Sequence, residues 1–192
     1  MGLLLIEPPA IVPVSMSELR QQVNLAADDT THDADLSRFA SAAAEYVERT
    51  TRRAMINQQF RFTTSWRDVV ELPRPPLVSI ESITLHDRSG GSTLIESGYE
   101  VLSDRFPGVL VFSGSHGADL RDTEPLVIEY TAGYGDDASD VPANMRLAVA
   151  QLAAFYFEIG RGDYECDVPQ HIKDSLKAMS SGTRVGYFRG VI

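Results

Sequence analysis

The segment after Val141-Pro142 carries apolar side chains on almost every side of a helix. Its large apolar residues are Met145, Leu147, Val149, Leu152, Phe155, Tyr156, Phe157 and Ile159, with alanines between them. A helix that is apolar on every side must be covered on every side, in a core or against other subunits. A chain of 192 residues has difficulty covering such a helix alone, so the segment indicates an assembly protein before an enzyme. We predict a subunit-interface helix that uses Met145, Leu147, Val149, Leu152, Phe155, Tyr156 and Phe157.

Composition bounds the class of protein. The hydrophobic fraction of 43% is enough for a core, and the charged fraction of 23% is ordinary for a globular chain. No apolar run approaches the roughly 20 residues of a membrane-spanning helix, so no membrane partner is expected. Residues 1–9 are apolar but lack a basic start and a cleavage site, so no signal peptide is expected. The single Cys166 excludes an intramolecular disulfide framework and a cysteine-based zinc cluster.

The charge of the chain is negative and unevenly distributed. A net charge of −10 argues against a general nucleic-acid binder, because neutralising phosphates requires Lys and Arg. Residues 58–140 hold 14 acidic and 6 basic residues, whereas residues 1–57 hold 8 and 5 and residues 141–192 hold 5 and 6. The middle of the chain is therefore strongly acidic and the C-terminal part is not.

Helical patterns occupy the two ends of the sequence. Ser15-Met-Ser-Glu18 has capping-box spacing and predicts a short helix that runs to about Ala27. Apolar residues recur at helical spacing over residues 36–50, which predicts a helix of about five turns. Helices return at Pro142 and over residues 169–179, each with a proline in its first turn.

The middle of the sequence changes to the pattern of short strands. Alternating apolar runs separated by Gly and Pro occur at 60–66, 69–72, 77–85, 99–102, 109–112 and 126–131. The predicted fold class is α+β: a small helical bundle with an antiparallel β unit, sandwich or barrel-like, inserted between the second and third main helices. The predicted parts are helices within 1–57, the β unit over 58–140, helices within 141–179 and an extended tail over 180–192.

No pattern for catalysis, metal binding or a cofactor emerges. The four histidines, which share no metal-ligand spacing, are His32, His86, His116 and His171. Residues 28–35 are acidic but lack the central Gly and final Glu of a calcium loop, which favours helix capping over calcium. Gly133-Tyr-Gly135 and Gly114-Ser-His-Gly117 lack the context of phosphate loops and indicate turns. Acidic neighbours raise rather than lower the thiol pKa expected for Cys166. We therefore predict that the chain is not an enzyme.

The C-terminal segment is basic and aromatic behind small residues. Its candidate docking residues are Arg184, Val185, Tyr187, Phe188, Arg189 and Val191. Such a segment can add a strand to a partner's sheet or fill a partner's groove. A frayed chain end is the alternative interpretation, and the two stay open on the tail alone.

Several stretches together resemble a known family. They are Pro13-Val-Ser-Met-Ser-Glu-Leu-Arg20, Ala42-Ala-Ala-Glu-Tyr-Val-Glu-Arg-Thr-Thr-Arg-Arg-Ala-Met-Ile56, Glu71-Leu-Pro-Arg-Pro-Pro-Leu-Val-Ser-Ile-Glu-Ser-Ile83, and Tyr130-Thr-Ala-Gly-Tyr-Gly135 followed by Val141-Pro142. Their order over residues 13–160 resembles the head–tail connector proteins, or adaptors, of long-tailed bacteriophages and gene transfer agents.

The resemblance implies a structural protein made in a bacterial cytoplasm and built into a particle at its head–tail interface. It implies a ring, usually of twelve copies, beneath the portal protein and above a stopper or tail-completion protein. DNA would pass through the channel without specific binding, and the basic tail would reach the portal. Two alternatives are a DNA-packaging accessory, which predicts salt-sensitive DNA affinity, and a ligand-binding β module.

Overall fold

A computed structural model describes residues 1–113, 120–160 and 167–181 of the chain. The chain divides into two compact units. The described residues within 1–11 and 53–141 form the first, which we call the β unit. The described residues within 12–52 and 142–181 form the second, which we call the helical unit.

Helices and strands fall in separate units. The helices are α1 (Met16–Gln22), α2 (Asp33–Thr51), α3 (Ala143–Gly160) and α4 (Gln170–Ser181). The strands are β1 (Gly2–Glu7), β2 (Gln58–Thr64), β3 (Val69–Glu71), β4 (Leu77–His86), β5 (Ser92–Leu94), β6 (Tyr99–Leu102), β7 (Val109–Phe112) and β8 (Leu126–Ala132). A 3₁₀ turn at Ala138–Asp140 precedes α3. Among the described residues, no helix is both long enough and apolar enough to cross a membrane.

The helical unit is organised around α3. Helix α2 packs along α3, and α1 and α4 also contact it. The buried residues of α2 recur every three or four positions, as one face of an amphipathic helix requires: Leu36, Ala40, Ala43, Val47 and Thr51. Ile172 and Leu176 form the buried face of α4. Helices α1, α2 and α4 of the same unit therefore share the covering of α3.

Helix α1 shows the predicted capping box but is shorter than predicted. The Ser15 hydroxyl accepts the Glu18 N–H at 3.3 Å, and the Glu18 carboxylate accepts the Ser15 N–H at 2.8 Å. The helix ends at Gln22 rather than near Ala27, because Asn24 takes a left-handed backbone conformation with φ of 57°.

The β unit consists of two antiparallel sheets around one core. The larger sheet has the order β1-β2-β8-β4-β5, and the smaller has the order β3-β7-β6. Inward side chains of both sheets form this core, among them Phe60, Phe62, Ile83, Leu110, Phe112, Ile128 and Tyr130. The predicted α+β class is confirmed, and the β unit is a pair of open sheets that do not close into a barrel.

The N-terminal residues belong to the β unit, whereas the sequence pattern places 1–57 with the helices. Strand β1 pairs with β2 in antiparallel register, with Leu3 opposite Phe62 and Leu5 opposite Phe60. A run of five uncharged residues suits a strand beside these aromatic residues, and Pro8 cannot donate to a longer ladder. Strand β5 is the second strand that the pattern does not predict, because its three residues are all exposed and show no alternation.

We expect Ser15→Ala to destabilise the helical unit at neutral pH by about 0.5–2 kcal/mol, because it removes the cap of α1. Hydrogen bonds from Ser15 hold the pKa of Glu18 below its ordinary value. A lowered folded-state pKa stabilises the fold above the unfolded-state pKa of about 4.3, and this contribution is lost as pH falls through the folded-state value. The difference in the free energy of unfolding between wild type and Ser15→Ala should therefore shrink in acid.

Urea unfolding at neutral and acidic pH measures this difference. The control is Ser37→Ala, which replaces an exposed serine of α2. An equal loss for both variants would contradict the capping role.

Candidate functional site

Three loops of the β unit meet in one place, which we call the three-loop cluster: residues 53–57, 73–76 and 133–136. Four backbone hydrogen bonds join them: Ala54 N–H to Pro75 O at 3.2 Å, Gly133 N–H to Pro76 O at 3.0 Å, Tyr134 N–H to Met55 O at 2.9 Å, and Asn57 N–H to Gly135 O at 2.9 Å. Each loop lies in one of the sequence stretches that carry the family resemblance. The structure therefore brings together three stretches that are far apart in sequence.

Gly133 permits this close approach. A Cβ at this position would lie 2.5 Å from the backbone nitrogen of Asn57 and 2.6 Å from its Cα. The φ of Gly133 is +154°, which side-chain-bearing residues rarely adopt. A residue with any side chain would push the loop at 133–136 away from the loop at 53–57.

A buried tyrosine fixes the loop at 73–76 to the sheet. Tyr130 is fully buried on β8, and its hydroxyl donates a hydrogen bond of 2.7 Å to the Pro73 carbonyl. Burial raises the pKa of Tyr130. The phenol therefore stays protonated and remains a hydrogen-bond donor at any physiological pH.

The cluster presents an arginine between two aromatic side chains. The Arg53 Nη1 donates a hydrogen bond of 2.9 Å to the Tyr134 hydroxyl, and the Arg53 guanidinium lies 4.7 Å from the centre of the Phe106 ring. All three side chains are half-buried, so part of each reaches the surface. Arg and Tyr are among the residues that most often anchor protein interfaces. The attraction between the guanidinium and the aromatic ring holds the Arg53 side chain in position. The arrangement suits contact with another protein.

The helical unit carries a second surface feature, an open cleft of about 350 Å³ between α1 and α3. Val14, Ala150 and Leu147 contribute apolar walls. The ion pair between Arg146 and Glu18, with N and O 3.7 Å apart, contributes a polar wall. Within the described ranges, no group of three or more His, Cys, Asp or Glu side chains is placed to hold a metal ion.

The residues of the predicted interface helix have different surroundings. Met145, Val149, Leu152 and Phe157 are buried inside the helical unit. Phe155 and Tyr156 are half-buried, and burial raises the pKa of Tyr156. Leu147 is 53% exposed and lines the cleft. Packing within the chain already accounts for four of the seven residues, and the interface role of the set stays a prediction.

The predicted docking residues of the tail, Arg184, Val185, Tyr187, Phe188, Arg189 and Val191, lie outside the described residues. The contact between Arg53, Phe106 and Tyr134 is not among the features predicted from the sequence. No local signal could have found it, because pairing of distant loops creates it. The exposed apolar strand β1 is not among the predicted features either, and its signal in the sequence is the apolar run that ends at Ile6.

Solved structures with the same fold come from gene transfer agent particles. A chain in the virion of a native gene transfer agent particle matches with a TM-score of 0.75 and 25% identity, over 93% of this chain and 95% of that chain. A chain in the neck of an empty particle, computed with C6 symmetry, matches with a TM-score of 0.74 and 26% identity over 93% and 95%. A chain in the neck of a native particle, computed with C12 symmetry, gives 0.65 and 26% over 92% and 94%. No protein-family model and no curated protein matches the sequence.

We expect Gly133→Ala to destabilise the β unit by more than about 2 kcal/mol, because the new methyl group would clash with the backbone of Asn57. Denaturant unfolding combined with hydrogen exchange of the β unit measures the loss. Gly90→Ala is the matched control, since Gly90 also has a positive φ, of 91°, but has open space around it. Equal losses for the two variants would mean that backbone strain, rather than the close approach, accounts for the effect.

We expect Leu152→Ala to lower the free energy of unfolding by about 2–5 kcal/mol, because Leu152 is fully buried. Leu147→Ala, on the same helix but exposed, should change it by no more than about 0.5 kcal/mol. Urea unfolding followed by circular dichroism compares the two. A small effect of Leu152→Ala would show that the free chain does not pack α3 in this way.

Proposed function

We propose that this chain is a structural head–tail connector, an adaptor that forms a ring beneath the portal of a gene transfer agent or tailed-phage particle. The observation that carries the proposal is similarity over more than nine-tenths of the chain to chains of the gene transfer agent virion and neck. Because nearly the whole length of both chains is matched, the similarity supports a structural role in the particle for the entire chain.

A ring of copies at the neck is the proposed state of assembly. The similar necks were computed with C6 and C12 symmetry, which supports a cyclic arrangement, and twelve copies is the number that we propose. A cyclic ring uses two different surfaces of each subunit. The cleft beside α1 and α3, with exposed Leu147 in its wall, is a surface through which the interface helix could contact a neighbour.

The charge of the β unit supports passage of DNA without attachment. Its acidic residues outnumber the basic ones by more than two to one over residues 58–140. Carboxylates repel the phosphates of DNA, so an acidic lining lets DNA slide through a channel. The same charge disfavours a role that depends on DNA affinity.

The proposed partners are the portal above the ring and a stopper or tail-completion protein below it. The basic and aromatic tail, from Arg184 to Val191, would contact the portal, by strand addition or by filling a groove. Assembly of this kind requires no catalytic residue, and we propose a purely structural role at the head–tail interface.

The test is binding to purified gene transfer agent capsids that carry the portal but no tail. We expect the intact chain to bind and a chain truncated after Met179 to lose binding. Tyr187→Ala combined with Phe188→Ala should weaken binding by at least about tenfold, because aromatic side chains dominate such contacts. Ser180→Ala combined with Ser181→Ala is the matched control and should bind as wild type does.

The outcomes separate the parts of the proposal. Equal binding by intact and truncated chains would move the portal contact out of the tail. Absence of binding by the intact chain would overturn the adaptor role. Electron microscopy of the bound particles should show added density with the symmetry of a ring at the portal vertex.

A further inference from the structure

Strand β1 is the most exposed apolar segment among the described residues. Leu3, Leu4, Leu5 and Ile6 expose between 39% and 58% of their surface. The register places Leu3 and Leu5 beside buried Phe62 and Phe60, whereas Leu4 lies beside exposed Arg61 on the opposite face. The strand is therefore apolar on both faces, and neither face is fully covered.

The outer edge of β1 is also open. β1 is the last strand of the larger sheet, and on its second side it has no neighbouring strand in the described part of the chain. Sheets usually protect such an edge with lysine, proline, a bulge or a covering loop, because free N–H and C=O groups pair with other chains. From Gly2 to Leu5 the ladder with β2 is regular, and its register shifts only between Leu5 and Glu7. Residues 2–5 thus carry none of these protective features, which begin only at the register shift after Leu5 and at Pro8.

We infer that the free chain forms a two-fold dimer by antiparallel pairing of β1 with β1 of a second copy. When the pair is centred on Leu4, Leu4 faces Leu4 of the second copy and Leu3 faces Leu5. No charged side chain lies between Gly2 and Ile6, so every central pair joins apolar residues. Aliphatic cross-strand pairs of this kind stabilise a sheet. Both faces of β1 gain a neighbour, and the free edge groups gain hydrogen-bond partners.

The position of Glu7 selects the antiparallel arrangement. In a parallel in-register pair, the two Glu7 carboxylates would lie side by side, and like charges directly opposite each other are destabilising. The antiparallel pair puts them at opposite ends of the strand, about 20 Å apart at roughly 3.4 Å per residue. The charge pattern therefore favours the antiparallel pair over the parallel one.

A symmetric pair closes after two copies. Each copy uses the same surface, so the contact cannot by itself extend into a ring. The dimer is therefore a form of the free chain that covers its apolar edge, and it is distinct from the ring contact under the proposed function. This inference stands whether or not the ring proposal holds.

Sedimentation velocity of the purified full chain, from about 1 μM to about 1 mM, tests the dimer. We expect wild type to dimerise with increasing concentration. Leu4→Lys should raise the dissociation constant at least about tenfold, because it places two lysines opposite each other on the axis. Leu147→Lys, at an equally exposed leucine of the helical unit, is the matched control and should leave the dimer intact. Thermal unfolding by circular dichroism establishes that each variant is folded.

Charge complementation tests the register. Leu4→Lys and Leu4→Glu should each dimerise more weakly than wild type, and their equimolar mixture should dimerise more tightly than either alone, because the lysine then faces a glutamate. Dimers that survive Leu4→Lys but vanish with Leu147→Lys would move the contact to the helical unit and overturn the inference. A wild-type chain that stays monomeric over the whole concentration range would overturn it as well. Failure of the mixture to dimerise would overturn the antiparallel register centred on Leu4.

Discussion

The insertion of a β unit into a helical chain depends on one short backbone contact. Apart from residues 1–11, the β unit consists of the segment from Arg53 to Val141, and the two ends of this segment must be held together. The hydrogen bonds between the loops at 53–57 and 133–136 hold them, and the absence of a side chain at Gly133 makes the approach possible. Tyr130 adds the loop at 73–76 through a buried hydrogen bond. The interface-like surface of Arg53, Phe106 and Tyr134 is a consequence of the same contact.

Helix α3 is apolar on almost every side and is nevertheless largely covered by helices of the same chain. An all-round apolar helix requires cover on every side, and here α1, α2 and α4 of the same unit provide most of it. Small alanines on α3 let these helices approach closely, as Ala148, Ala153 and Ala154 are all buried. Helices α1, α2 and α4 therefore provide much of the cover that we expected other subunits to provide. Leu147 is the residue of the predicted interface that remains well exposed.

Among the described residues, each of the two units exposes an apolar surface. The helical unit exposes Leu147 in the cleft beside α1, and the β unit exposes β1. Polar or charged residues border both, as at contact surfaces between subunits. A cyclic assembly needs two different surfaces and a two-fold dimer needs one, so a chain with both forms must divide its surfaces between them. We propose that β1 forms the contact in the free chain and that the helical unit forms the contact in the ring.

The sequence by itself determined the class of each segment, because helix and strand periodicities, caps and turn residues are local properties. The capping box at Ser15, the buried face of α2 and the alternation of Phe60 and Phe62 are examples. It also determined the acidic charge of the middle and the absence of a recognisable catalytic pattern. The tertiary structure decided which loops meet at Gly133, which strands lie at the sheet edges and which side of α3 stays exposed. Those features depend on contacts between residues far apart in the chain, and local periodicity carries no information about them.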